Sequence, residues 1–204
     1  MRYCFAASYL VPLGRLMEAA DQLRRALKED PLNVGYRFHL ALCLSSAGEN
    51  EEAATQYRHI AEIDEQSLPV LQAQSMRHLH VGKLPEALSF AERAYSVAPE
   101  NPGIMGTYAA VLWRHGSRKR AENLLEKLRR REYGSAMGFW AFYSGCMELD
   151  NAAEWAARAI EDRDPSVLPV VCGPARRLFE ASGHWPALAR LLNLPAAATG
   201  SSGH

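Results

Sequence analysis

An excess of charge of one sign is missing, since 23 Lys and Arg balance 23 Asp and Glu over 204 residues. A neutral chain sets up no global field to draw in nucleic acid or an anionic membrane. Cysteine is scarce. Cys4, Cys43, Cys146 and Cys172 lie far apart and form no CxxC pair, which argues against a disulfide framework or a zinc site. Isolated thiols at apolar positions behave as small core residues, and that usage points to a reducing compartment. The apolar opening from Tyr3 to Val11 is too short to span a bilayer and lacks a cleavage site, so no membrane association and a cytoplasmic location are expected. β-Branched alternation bounded by tight turns, the mark of strands, is absent. So are GxxxxGK[ST], GxSxG, HExxH and a GxGxxG opening a helix after a strand. No catalytic residue and no cofactor are therefore expected. His78 and His80 are two apart and would point to different faces of a helix, so no metal site is expected either.

What the chain does contain is a period. Gly14, Gly48, Gly82 and Gly116 recur every 34 residues, as do Ala19, Ala53, Ala87 and Ala121, and again Ala7, Ala41, Ser75 and Ala109. Each unit carries two apolar-periodic stretches around a glycine-containing turn, which predicts a helical hairpin. Glycine after the first helix accepts the left-handed conformation that terminates it. A small residue on each helix lets the pair approach closely. Pro31, Pro99 and Pro165 follow the expected second helices and stop them.

The run Gly14-Arg15-Leu16-Met17-Glu18-Ala19-Ala20, then Leu23, Ala26, Leu27, Asp30 and Pro31, resembles the second half of a tetratricopeptide repeat. So does Gly82-Lys83-Leu84-Pro85-Glu86-Ala87-Leu88 with Ala91, Ala94, Tyr95 and Pro99. The resemblance implies an all-α fold, a right-handed superhelical stack of antiparallel hairpins. About five repeats are expected, near 1–33, 34–67, 68–101, 102–133 and 134–165 of one domain, 1–195. Ala109 to Ala141 and Ala121 to Ala153 step by 32, so the fourth unit is expected to be two residues short. Leu168-Pro169 and Gly173-Pro174 break any long helix, and short helices near 175–182 and 185–193 read as a cap on the stack. Residues 196–204 have no apolar anchor and are expected to be disordered. A narrower resemblance, carried by Val11-Pro12-Leu13-Gly14-Arg15-Leu16, Glu161-Asp162-Arg163-Asp164-Pro165 and the Ala189–Pro195 stretch, is to repeat tails of bacterial signalling proteins. Those include serine/threonine kinases, nucleotide cyclases and winged-helix regulators. Gly183-His184-Trp185-Pro186 departs from their usual Asp-Pro-Arg-Phe run.

In tetratricopeptide proteins the first helix of each hairpin lines a concave groove. By resemblance the lining here comprises Phe38, Leu42 and Ser45, then Gln72, Met76, Leu79 and His80. Ala110, Trp113 and Arg114 continue it to Phe139 and Phe142. Aromatic residues, Met and Arg are enriched at binding hot spots, so a groove for a peptide or helix of a partner protein is one reading. Packing between repeats is the other. Lys and Asn at the positions that clamp acidic chaperone tails are replaced by Phe38, Leu42, Gln72 and Met76, which argues against such a partner. Between Arg114 and Arg131 eight basic residues face Glu122 and Glu126, and between Glu49 and Glu65 six acidic residues face Arg58. Solvated outer helix faces are the ordinary explanation, with self-association or an acidic docking partner as the sharper ones. The basic run lacks interleaved aromatics, so nucleic acid is not expected. Gln74 and His78 stand where the family has large apolar residues. Either that helix is rotated or it carries a buried polar network.

These observations describe an interaction scaffold or regulatory module rather than an enzyme. The alternative is a substrate-recruiting part of a larger signalling enzyme, and a weaker third is a small-ligand sensor built on the polar third unit.

Overall fold

The structure is a computed structural model and describes residues 10–11, 13–164, 167 and 174–194. Among them are eleven helices and no strand. In chain order they are α1 (Leu16–Glu29), α2 (Val34–Ala47), α3 (Asn50–Ile63), α4 (Leu68–His80), α5 (Leu84–Val97) and α6 (Pro102–Arg114). Then follow α7 (Arg118–Arg129), α8 (Ser135–Gly145), α9 (Leu149–Glu161), α10 (Pro174–Ala181) and α11 (Trp185–Leu191). Cys4, Cys172, Pro165, the Leu168-Pro169 break and the 196–204 tail fall outside the described residues.

Among the described residues one turn recurs within six hairpins, and Arg163 and Asn193, at φ 55° and 52°, repeat it after α9 and α11. Gly14, Gly48, Gly82, Gly116 and Gly183 all have positive φ, between 74° and 95°, and Met147 joins them at 62°. In each copy the amide just past that residue donates back across the helix end, from Arg15 to Leu10 O through His184 to Phe179 O, at 2.8–3.0 Å. Those bonds satisfy carbonyls that a helix end otherwise leaves orphaned. Because the same turn sits between α10 and α11, the cap is built as a further hairpin. At the opposite edge Asn33 and Asn101 cap α2 and α6, their side-chain oxygens accepting from Tyr36 N at 3.0 Å and Ile104 N at 3.1 Å.

The small residues of the period are core contacts. Ala19, Ala41, Ala87, Ala109 and Ala121 are fully buried and Ala53 nearly so. Ser75 keeps the same place in the third unit, wholly buried, and its hydroxyl donates to Ala87 O at 3.2 Å. α4 is therefore not rotated, and the buried polar contact is this bond. At the surface Arg77 links Gln74 (Nε to Oε1, 3.0 Å) and His78 (Nη2 to Nε2, 3.1 Å), and His78 stacks on Phe90, with centroids 5.5 Å apart and 8° between planes. Cys43 is buried in the core, and burial pushes the Cys43 and Cys146 thiols up to about 11. They stay uncharged and unreactive at neutral pH.

The fifth unit corrects the sequence register. Met147 takes the turn position 31 residues after Gly116, one fewer than the alanine steps imply. Ala152, not Ala153, then occupies the place of Ala53. Both helices of the step are shorter, α7 with 12 residues against 14 in α5 and α8 with 11 against 13 in α6, while the connection between them is one residue longer.

The inner helices α6 and α8 share the most extensive contact in the molecule. A Cβ on Gly106 would lie 1.9 Å from Gly138 O, and one on Gly145 would lie 2.6 Å from the Ala110 methyl. Backbone meets backbone there. By contrast, α3 and α4, which join the second unit to the third, touch sparingly.

Candidate partner-binding surface

The groove residues named above do not form one strip. Phe38, Leu42 and Ser45 are half-buried on α2, and Phe38 turns edge-on to Tyr57 of α3 at 6.5 Å. Gln72 and Met76 are half-buried on α4, Trp113 and Arg114 on α6, while His80 is exposed. Met76, Trp113, Leu79, Ala110, Phe139 and Phe142 share one apolar cluster, to which the α2 residues do not belong.

Leu79, Ala110, Phe139 and Phe142 are packed inside and offer no surface to a partner. For the two phenylalanines the reason is the register. A 31-residue step pairs Phe139 with Tyr108 and Phe142 with Val111, both core positions, and places Ala141, Ser144 and Gly145 at the positions of Ala110, Trp113 and Arg114. Phe139 accordingly stacks on Trp155 of α9 at 4.4 Å. Leu79 and Ala110 are buried because α8 closes on the inner helices. The would-be Cβ of Gly145 meets both of them. Glycines inside helices, at 106, 138 and 145, are the signal that marks this closeness, since each weakens its helix unless a neighbour needs the space.

What remains open is compact. Trp113 has the Arg118 guanidinium 4.3 Å above its ring and the edge of Phe142 at 5.9 Å. Arg114 Nη1 donates to Gly145 O at 3.4 Å, across to the end of α8. His80 lies near enough to feel it: although the residue keeps solvent contact, the partial burial of its ring first and Arg114 second hold its imidazole below the ordinary histidine range. Gln72, Met76, His80, Trp113 and Arg114 thus gather an apolar ring, a flexible thioether and polar donors on the inner helices of the third and fourth units.

Half of the basic run and part of the acidic run sit in ion pairs. Arg120 pairs with Glu92 at 3.0 Å, Arg129 and Arg130 with Glu126 at 2.9 Å, and Arg131 with Glu100 at 2.8 Å. Arg24 reaches Glu52 of the acidic run at 2.8 Å. Most of these groups are solvated, so they contribute little stability, and they offset only part of the positive charge of the basic run. Among the described residues no group of His, Cys, Asp and Glu is placed to hold a metal ion, and no helix is long and apolar enough to cross a membrane.

A fold of repeated helix pairs with this glycine turn and these small-residue contacts defines a helical-repeat protein. The chain belongs to the tetratricopeptide-repeat family, which matches residues 6–67 and again 78–137. Neither match includes 68–77, the stretch in which Gln74 departs from pattern. A tetratricopeptide repeat protein from Parabacteroides merdae ATCC 43184, solved at 2.39 Å, is similar over 94% of this chain and 73% of its own, with 15% identity and a TM-score of 0.49. Comparison with curated proteins gave no match. The likeness to signalling-protein tails has no counterpart among these matches. Repeats of this family generally mediate protein–protein interaction, and proteins built from them are typically non-catalytic scaffolds.

Proposed function

We propose that this chain is a non-catalytic interaction module that holds a peptide or helix of a partner protein on the inner faces of α4 and α6. The observation that carries the reading is Trp113, a half-buried ring on an inner helix, flanked by Met76, Gln72, His80 and Arg114. An aromatic anchor beside Arg and Met, next to a fully packed seam, is the composition of an interface hot spot. The basic run between Arg114 and Arg131 lacks interleaved aromatics for base stacking, which supports a protein partner over nucleic acid. The same surface serves whether the module acts alone or recruits substrates for a catalytic domain.

A photo-crosslinking residue at Gln72 should trap a discrete partner, while one at the exposed outer position Glu122 should trap none. Against the partner so identified, Trp113→Ala should lose about 2 kcal/mol of affinity or more. Its thermal melt should show a smaller loss of stability. Unchanged affinity in a folded Trp113→Ala protein would sink the assignment. A stability loss of about 3–5 kcal/mol, the cost of a fully packed ring, would reassign Trp113 to the core.

A further inference from the structure

The α10–α11 hairpin does more than cover the last repeat. α11 packs on α9, as a cap should, and His184 Nε2 lies 2.8 Å from Asp150 Oδ1 of that helix. α10, however, also packs on α2, a first helix four hairpins earlier. Phe179 of α10 is buried in the apolar cluster that holds Leu40, Cys43 and Leu44 of α2. Two arginines flank the contact. Arg176 Nη1 lies 3.5 Å from where a Cβ on Gly14 would stand, and Arg177 Nη2 2.8 Å from one on Gly48. Gly48 is the C-cap of α2, where a guanidinium meets the negative end of the helix dipole. The curl of the stack makes this reach feasible, since α4 and α8, two hairpins apart, also touch.

Meanwhile the joint between α3 and α4 is sparse. Among the described residues the first two units thus meet the rest chiefly through a thin junction at one end and through α10 at the other.

We propose that the α10–α11 hairpin is an intramolecular clasp, which closes the solenoid by seating Phe179 against α2 and releases to open the α3–α4 joint. The clasp stands on these contacts and not on the function proposed above, because Leu40 and Leu44 lie on the side of α2 away from Phe38 and Leu42.

Hydrogen exchange on the full chain tests it without any partner. Phe179→Asp places a charge in the contact and should accelerate exchange across Val34–Ala47 by about tenfold or more. Pro102–Arg114 and Ser135–Gly145 should keep their protection, and the radius of gyration in solution should rise. Arg177→Glu, which reverses the charge at the α2 terminus without entering the core, should accelerate the same segment by about threefold. Ala181→Asp, exposed on the same helix, should change nothing. Unchanged exchange in Val34–Ala47 for both variants would overturn the proposal. So would equal acceleration in α6 and α8, which would make the hairpin part of one cooperative fold. An Ala181→Asp effect as large as that of Phe179→Asp would trace the change to a weakened helix and overturn it as well.

Discussion

Met147 holds a backbone conformation that glycine holds at the five equivalent turns, with φ 62°. A side chain in that region crowds its own carbonyl, at a cost of about 1–2 kcal/mol. Its side chain is 50% exposed, so packing returns little of this. Met147→Gly should raise stability by about 1 kcal/mol in urea denaturation. A loss would mean that the methionine makes contacts which outweigh the strain. This residue also shows why the sequence places the fifth unit one residue out of register. Without a glycine the turn carries no mark in the sequence, and alanines at 141 and 153 suggested a 32-residue step. Ser75, in contrast, was legible as a small residue, while its bond to Ala87 O was not, because a hydroxyl facing a carbonyl depends on helix–helix distance. Ser75→Ala should cost about 1 kcal/mol, with the helical signal unchanged. A cost near zero would show that Ala87 O finds another donor.

Helices and their turns followed directly from period, glycine and proline, because those signals act within one unit. Contacts between units did not. The α6–α8 seam depends on glycines at 106, 138 and 145, which lie outside the 34-residue pattern. Its consequence is that Leu79 and Ala110, groove positions by family resemblance, are sealed. The seam makes a strong element-level prediction. A methyl on Gly106 would meet the rigid backbone carbonyl of Gly138, so Gly106→Ala should destabilise by about 3 kcal/mol through overpacking. Gly103, one turn earlier on α6, has only Asn101 Oδ1 at 3.4 Å. Gly103→Ala should be neutral or gain up to about 1 kcal/mol from helix propensity. Equal effects of the two substitutions in thermal melts would show that α6 and α8 are not this close in solution.

At the scale of the whole molecule, stability in a repeat stack is distributed through neighbour contacts, and a weak junction lets the two sides part. The α3–α4 joint is that junction. On its near side lie α1, α2 and α3, 14 helical residues each. On its far side is the glycine-sealed α6–α8 pair. The tryptophans divide unevenly across it, for all four, at 113, 140, 155 and 185, lie beyond the joint. Tryptophan fluorescence therefore reports the far block, whereas circular dichroism at 222 nm (a helix probe) weighs both. Urea unfolding followed by circular dichroism should begin at lower denaturant than unfolding followed by fluorescence, because the near block has fewer neighbours to lose. Coincident curves would identify a single cooperative unit, with the joint as strong as the seam. Offset curves that close up when α2 is tethered to α10 by an added covalent link would assign the difference to the contact that α10 makes, since such a link restores by connectivity what the thin junction lacks.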